Sequence, residues 1–330
     1  LPSLSRWLLQ NVPRSSRKPS DFPSTGMQDQ SWTIKRILDW TSGYLERKGD
    51  EHPRLSAEWL LSATTGLSRV ELYTNFDKPL MQDELNRMHQ AVEQRASGRP
   101  LQYVTGEMLF RHIVLKCEPG VLIPRPETEV LVDTALEGID QKCATGEKNG
   151  TPEPLRVLEV GVGTGCIALS IASERPDTDV VATDVSPEAI SLAQRNCDAL
   201  GLEDRVRLIE CDLVSGVPKD YAETFCVLVS NPPYIPTEVL KTSVPAEVKE
   251  FEPKLALDGG NDGLDVYRRL LQEAPHMLAP GGMLCVELYE GHLDRAAELA
   301  RQAGAWRDIT IKEDLTHRPR ILVAYRKEAE

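Results

Sequence analysis

The sequence predicts an α/β fold, a mostly parallel sheet with helices on both faces, preceded by a small helical domain. Three observations carry this. Five apolar runs, "LRVLEV", "DVVATD", "VRLIEC", "FCVLVSN" and "GMLCVEL", alternate with helical stretches, the pattern of parallel strands joined by crossover helices. The first run passes into "EVGVGTGCIALSIA", which sets Gly161, Gly163 and Gly165 between a strand and a helix. The last segment, "WRDITIKEDLTHRPRILVAYR", holds two strand-like runs with no room for a crossover helix, so they must pair antiparallel.

Taken from the start, residues 1–26 read as a disordered leader rich in Arg, Ser and Pro. They fit an extension ahead of a start at Met27, with an organelle transit peptide as the alternative. Residues 27–96 form the helical domain: "TIKRILDWTSGYL", "SAEWLLSATTGL" and "MQDELNRMHQAVEQRA" space apolar residues by three and four, and Gly66 and Asp77-Lys-Pro79 interrupt them. Residues 97–118 mix Tyr, Val, Phe and Ile with Gly and Pro, which suggests short strands or a hairpin linking the domains, with a boundary near Lys116. Residues 119–330 make the α/β domain.

A composition of 41% apolar and 27% charged residues is enough for a real core, and 330 residues suit two domains. The net charge is −13. In the leader four basic residues, Arg6, Arg14, Arg17 and Lys18, face a single acid, Asp21, so the rest of the chain carries −16. Long contact with a phosphate backbone depends on Lys and Arg displacing counterions, so direct nucleic-acid binding is not expected and a protein partner is favoured. The seven cysteines include no C-x-x-C pair and no nearby His to complete a zinc cluster. They read as free thiols in a reducing compartment, and no metal is expected. Nothing approaches the roughly 18 apolar residues of a membrane span.

Glycines after a first strand allow a tight turn and let backbone N–H groups and the helix N-terminus approach a ligand closely. The dinucleotide fingerprint would need glycine where Cys166 stands, and the Walker lysine is missing, so the spacing points away from NAD and ATP. By themselves three glycines also make an ordinary turn. The second run ends in Asp184, placed to accept from ribose hydroxyls. Helix capping is its alternative, but Ser186, followed by Pro187, already fills that role. The third run ends in Asp212, placed to accept from an adenine amino group or serving as a plain loop acid. The fourth run then stops at "VSNPPYIP", where proline cannot continue a sheet ladder.

A G-x-G-x-G loop, acids after strands two and three, and Asn-Pro-Pro-Tyr after strand four together resemble the class I S-adenosylmethionine-dependent methyltransferases. The resemblance implies a Rossmann-like, seven-stranded, mostly parallel sheet with a reversed C-terminal strand, which the terminal hairpin fits. It also implies S-adenosylmethionine as cofactor. An amide or exocyclic amino nitrogen has a delocalised lone pair, so two acceptors gripping its N–H bonds would hold it in line with the methyl group and favour its rehybridisation. The Asn231 side-chain oxygen and the Pro232 carbonyl suit this. Pro232 and Pro233 fix the backbone, and Tyr234 offers a ring to pack on a planar group.

Asn-Pro-Pro-Tyr is shared by enzymes acting on glutamine amides, adenine amino groups and guanine amino groups. "RPLQYVTGEMLF", "VLIPRPETEVLV", "EPKLALDGGNDGLDVYRRL" and "EDLTHRPRILVA" are similar to the family that methylates the Gly-Gly-Gln glutamine of peptide chain release factors, over about Trp32 to Arg326. That similarity implies cofactor binding by Glu159, Gly161, Val162, Gly163, Thr164, Gly165, Asp184, Asp212, Leu213 and Asn231. It implies glutamine binding by Asn231, Pro232, Pro233 and Tyr234, with Asn231, Pro232 and Tyr234 catalytic. Release factors are then the partner, recognised by the helical domain, and the enzyme is expected to be a cytoplasmic monomer, or organellar if the leader is a transit peptide.

Two positions depart from the family pattern. Leu213 stands where some relatives carry an aromatic residue, and Glu159 where aspartate is frequent; the longer side chain is expected to reach the cofactor amine. "IPRPETE", with Arg125, Glu127 and Glu129, either lines the cleft or is a solvated linker, and "DGGNDG" either serves the site or is a surface turn. The competing reading is a DNA adenine or RNA guanine methyltransferase, against which the acidic chain and the lack of a basic patch interleaved with aromatics argue. The intact glycines and Asn231 argue against a non-catalytic binding module.

Overall fold

The first helix, α1 (Ile34–Arg47), starts where the Thr33 hydroxyl accepts from the Arg36 amide, and it buries Ile34, Ile37, Leu38 and Leu45 along one face, as an amphipathic helix does. This is a computed structural model that describes residues 31–145 and 155–328. The expected leader and most of the polar loop "KCATGEKNGTPEP" lie outside the described residues.

The chain divides into two units, Leu1–Glu93 and Gln94–Glu330. In the first, α2 (Pro53–Thr65) has proline in its first turn and ends at Gly66 in the left-handed conformation. A capping box between Ser68 and Glu71 opens α3 (Arg69–Thr74), and α4 (Gln82–Ala96) crosses into the second unit. Glu58 is buried yet charged: Arg69 at 2.6 Å, Arg54 at 3.1 Å and the Tyr73 hydroxyl all bond to it.

The second unit opens with α5 (Leu101–Thr105) and the antiparallel hairpin β1 (Glu107–Phe110) and β2 (Ile113–Lys116). Phe110, Ile113 and Leu115 of that hairpin join this unit's core. Then come α6 (Thr128–Thr145), β3 (Leu155–Val160), α7 (Cys166–Glu174), β4 (Thr178–Asp184), α8 (Pro187–Leu200), β5 (Val206–Glu210) and β6 (Phe225–Ser230). Three short helices follow, α9 (Thr237–Thr242), α10 (Ala246–Phe251) and α11 (Lys254–Leu257), each preceded by a proline. The chain closes with α12 (Asp265–Met277), β7 (Leu278–Glu287), α13 (Leu293–Ala303), β8 (Trp306–Glu313) and β9 (Pro319–Arg326).

The seven-stranded sheet runs β5-β4-β3-β6-β7-β9-β8. Strands β3 to β7 pair in parallel, and β9 alone is reversed, antiparallel to both β7 and β8. The predicted sheet and its reversed C-terminal strand are both present. Asp314 organises the β8–β9 turn by accepting from the amides of Thr316 and Arg318. One face of the sheet packs on α6, α7 and α8 through Leu131, Ile139, Ile167 and Ala193; the other packs on α12 and α13 through Tyr267, Leu270, Ala296 and Ala300. Strand order reverses at β3, which places a crevice at the carboxyl ends of β3 and β6, where open α/β sheets bind ligands. Among the described residues no helix is long and apolar enough to cross a membrane, and no group of side chains could hold a metal ion.

Candidate active site

Glycine is required after β3. Gly161, Gly163 and Gly165 have φ of +85°, +54° and +87°, in the left-handed region that side chains avoid. A Cβ on Gly165 would also stand 2.7 Å from Leu169 Cδ1. The turn opens a cleft of about 390 Å³ at the strand ends, within the usual range for a small-molecule site, roughly 300–1,000 Å³.

Four strand tips furnish one wall: Gly161 and Gly163 from β3, Asp184 from β4, Asp212 and Leu213 from β5, and Asn231, Pro232 and Pro233 from β6. Ser230 ties two of those tips together by donating to the Val160 carbonyl at 2.7 Å. Gly120–Leu122 and Pro253, Leu255 and Ala256 also line the cleft. Arg125 and Glu252 join these two segments in an ion pair of 2.5 Å, and Ile123 N donates to the same carboxylate. The "IPRPETE" stretch is therefore fastened beside the cleft.

The glycine loop acts differently from the expectation of free backbone donors. Gly161 N and Val162 N donate to the Thr183 carbonyl, Gly163 N to Asp184 Oδ2, and Gly165 N to the Val162 carbonyl. The loop gives the cleft bare main chain as a surface, with those N–H groups used inside the fold. Asp184 accepts from Gly163 N at 3.0 Å and Ser186 N at 2.9 Å. Burial raises its pKa against the lowering effect of these backbone donors. Ser186 caps α8 through Ala189 N, which leaves Asp184 for the cleft.

Other predicted residues stand elsewhere. Glu159 does not line the cleft: it is fully buried beneath the glycine loop and accepts from Ala168 N of α7 at 2.8 Å. Burial pushes its pKa well up, against the lowering effect of the Ala168 amide, and the nearby Asp184 adds to the rise. Val162, Thr164 and Gly165 shape the turn without lining the cleft. Asp212 lines it, with its Oδ2 paired to Arg269 of α12 at 2.6 Å. Leu213 presents an aliphatic wall at φ +50°, with its carbonyl accepting from Thr183 Oγ1 at 2.7 Å.

At the tip of β6, Asn231 Nδ2 donates to Thr128 Oγ1 at 3.1 Å. Tyr234 is half-buried and outside the cleft wall. The next element closes against this motif, since Ile235 N donates to the Leu257 carbonyl and Gly259 N to the Ile235 carbonyl. "DGGNDG" is thus a backing for Asn-Pro-Pro-Tyr, not a surface turn. Beside it lies Glu287, the last residue of β7 and 1% exposed. Burial raises its pKa to about 7, against the lowering effect of the Thr128 hydroxyl.

Thr128, Arg269 and Glu287 escaped the sequence reading. Glu287 had a signal, an acid closing the apolar run "GMLCVEL" as Asp184 and Asp212 close theirs.

This geometry can be set beside known proteins. The family model described as the PrmC N-terminal domain matches residues 36–106, and the methyltransferase small domain matches residues 148–250. A release factor glutamine methyltransferase of Geobacter sulfurreducens is 46% identical over 83% of this chain and 90% of its own length. The chain belongs to the release factor glutamine methyltransferase family. Another member, from Rhodopirellula baltica, is 40% identical over 89% of this chain and 96% of its own length. Among solved structures, the hMettl16 catalytic domain superposes with a TM-score of 0.51 at 14% identity, covering 75% of this chain and 82% of that one, a likeness of fold alone. The family's two matched domains fall on the helical segment and on the cleft-bearing sheet, and the methyltransferase domain makes S-adenosylmethionine the methyl donor.

Proposed function

We propose that the cleft binds S-adenosylmethionine and that Asn231 to Tyr234 hold the substrate glutamine at its edge. As a member of its family the protein methylates the side-chain amide of the Gly-Gly-Gln glutamine in peptide chain release factors. The residues fit the cofactor. Gly163 lines the cleft, and a Cβ there would meet no protein atom within 4 Å, so only glycine leaves that space to a ligand. Asp184 offers carboxylate lone pairs for ribose hydroxyls, and Leu213 an apolar surface for a base. When bound, S-adenosylmethionine supplies an electrophilic methyl carbon on a positively charged sulfur.

The observation that carries this reading is the placement of Asn231 and Pro232 at the tip of β6, on the wall shared with Gly161 and Asp184. With Nδ2 committed to Thr128, Oδ1 is left to accept from an amide N–H. The Pro232 carbonyl accepts the second N–H, and the two oxygens hold the nitrogen in line while it gains positive charge. The nitrogen then sheds one proton to solvent. Tyr234 offers its ring to the planar amide.

The acidic charge supports a protein substrate in preference to a polynucleotide. The free thiols of the described cysteines suit a reducing compartment such as the cytoplasm. Incubation with methyl-labelled cofactor and a release factor tests the reading. Label should enter the wild-type factor and not one whose Gly-Gly-Gln glutamine is replaced; labelling of both would overturn it.

A further inference from the structure

We propose that Asn196 of α8 is a positioning residue for the cofactor: it ties the glycine turn to the segment that leads from β2 into the cleft. The inference rests on the reading of the cleft as the cofactor's site. Asn196 is 1% exposed and does not line the cleft itself. It spends both ends of its side-chain amide on main chain. Oδ1 accepts from Lys116 N at 2.8 Å, while Nδ2 donates to the Lys116 carbonyl at 3.2 Å and to the Thr164 carbonyl at 2.9 Å.

Each contact fixes something that borders the cleft. A peptide unit is planar, so the bond to the Thr164 carbonyl sets the plane that also carries Gly165 N, which donates to the Val162 carbonyl at 2.8 Å. The turn is thus gripped at both edges of one peptide, between Gly163 and the start of α7. On the other side, Lys116 is the last residue of β2, and Cys117 N bonds back across the hairpin to the Gly106 carbonyl. Asn196 completes both main-chain groups of Lys116 as a neighbouring strand would.

From Lys116 the chain runs on to residues 120–122, which line the cleft. Val121 is 4% exposed and clusters with Ala189 and Leu192 of α8, and its carbonyl accepts from the Tyr103 hydroxyl at 2.6 Å. Ala193 lies against the glycine turn, its Cβ 3.6 Å from where a Cβ on Gly165 would stand. Ala189, Leu192, Ala193 and Asn196 follow the spacing of a single helix face. That face sets the distance between two cleft-lining segments. Its apolar contacts are non-directional, so the Asn196 amide is what fixes their register.

The test measures cofactor Kd by calorimetry and kcat at saturating cofactor and release factor, with melting temperature alongside. Asn196→Ala leaves the two carbonyls without their donor and should raise the cofactor Kd about tenfold, with kcat within about twofold of wild type. Asn196→Asp keeps an acceptor for Lys116 N but, when ionised, offers no donor, and should weaken binding at least as much. Ala300→Gly in α13, on the opposite face of the sheet, should lower the melting temperature and leave the Kd within about twofold. A Kd within about twofold of wild type in Asn196→Ala, a kcat that falls as far as the affinity, or an equal rise of Kd in Ala300→Gly overturns the inference. Should Asn196→Ala fail to fold, hydrogen exchange of the wild type decides. Saturating cofactor should slow the Lys116 amide, which lies outside the cleft, about tenfold more than the Leu322 amide of β9; equal slowing overturns the tie. If the wild type binds no cofactor, or Asp184→Asn binds it as tightly as wild type, it is the underlying reading of the cleft that fails.

Discussion

Gly263 lies against the carbonyl oxygen of Tyr234 so closely that a Cβ there would stand 2.3 Å from it. Gly259 does the same to Pro233, at 2.7 Å from its carbonyl oxygen. The "DGGNDG" loop is bare main chain pressed on the back of the substrate motif, and Gly263 also has φ +75°. Gly263→Ala should cost on the order of 1–3 kcal/mol from backbone strain and displace Tyr234. Thermal unfolding together with single-turnover methylation checks this, and a full rate in a folded variant would show that the loop does not hold the motif.

Asp184 lines the cleft with two backbone donors on its carboxylate. Hydrogen bonds to a charged group contribute about 1.5–3 kcal/mol, so Asp184→Asn should weaken cofactor binding roughly tenfold to a hundredfold and leave kcat at saturation nearly unchanged. Calorimetric titration paired with saturation kinetics separates the two effects. Lost kcat with normal affinity would place Asp184 in methyl transfer instead.

Arg125 and Glu252 hold together two segments that line the cleft along with the strand tips. The Glu252 side chain is only 2% exposed and Arg125 is 33% exposed, so removing the cation strands a buried charge, whereas neutralising the acid does not. Arg125→Met should lower the melting temperature more than Glu252→Gln, and both should raise the cofactor Kd. The reverse order of melting temperatures would mean that the pair is not what fastens this wall.

Much of this was legible in the sequence because it is local. Five apolar runs, a glycine turn and two prolines after an asparagine are written in consecutive residues, and they give the parallel part of the sheet; the count of seven strands with one reversed came from the resemblance, with the terminal hairpin in agreement. What escaped is long-range. Thr128 and Asn231 are 103 positions apart, Arg125 and Glu252 are 127, and Asp212 and Arg269 are 57, and no periodicity links them. Glu159, which the resemblance assigned to the cofactor, is held by a contact of the same kind. The α7 amide at Ala168, nine residues on, takes its carboxylate inward. The loop's own N–H groups were likewise expected to face a ligand, although the neighbouring strand end at Thr183 and Asp184 competes for them.

The most direct measurement is the single-turnover rate of glutamine methylation by Asn231→Ala at saturating cofactor, with the cofactor Kd determined alongside. Loss of one of two positioned oxygen acceptors should slow transfer by about a hundredfold or more while the Kd stays close to wild type. A rate that recovers fully once cofactor is saturating, with affinity lost, would contradict the account and make Asn231 a cofactor ligand only.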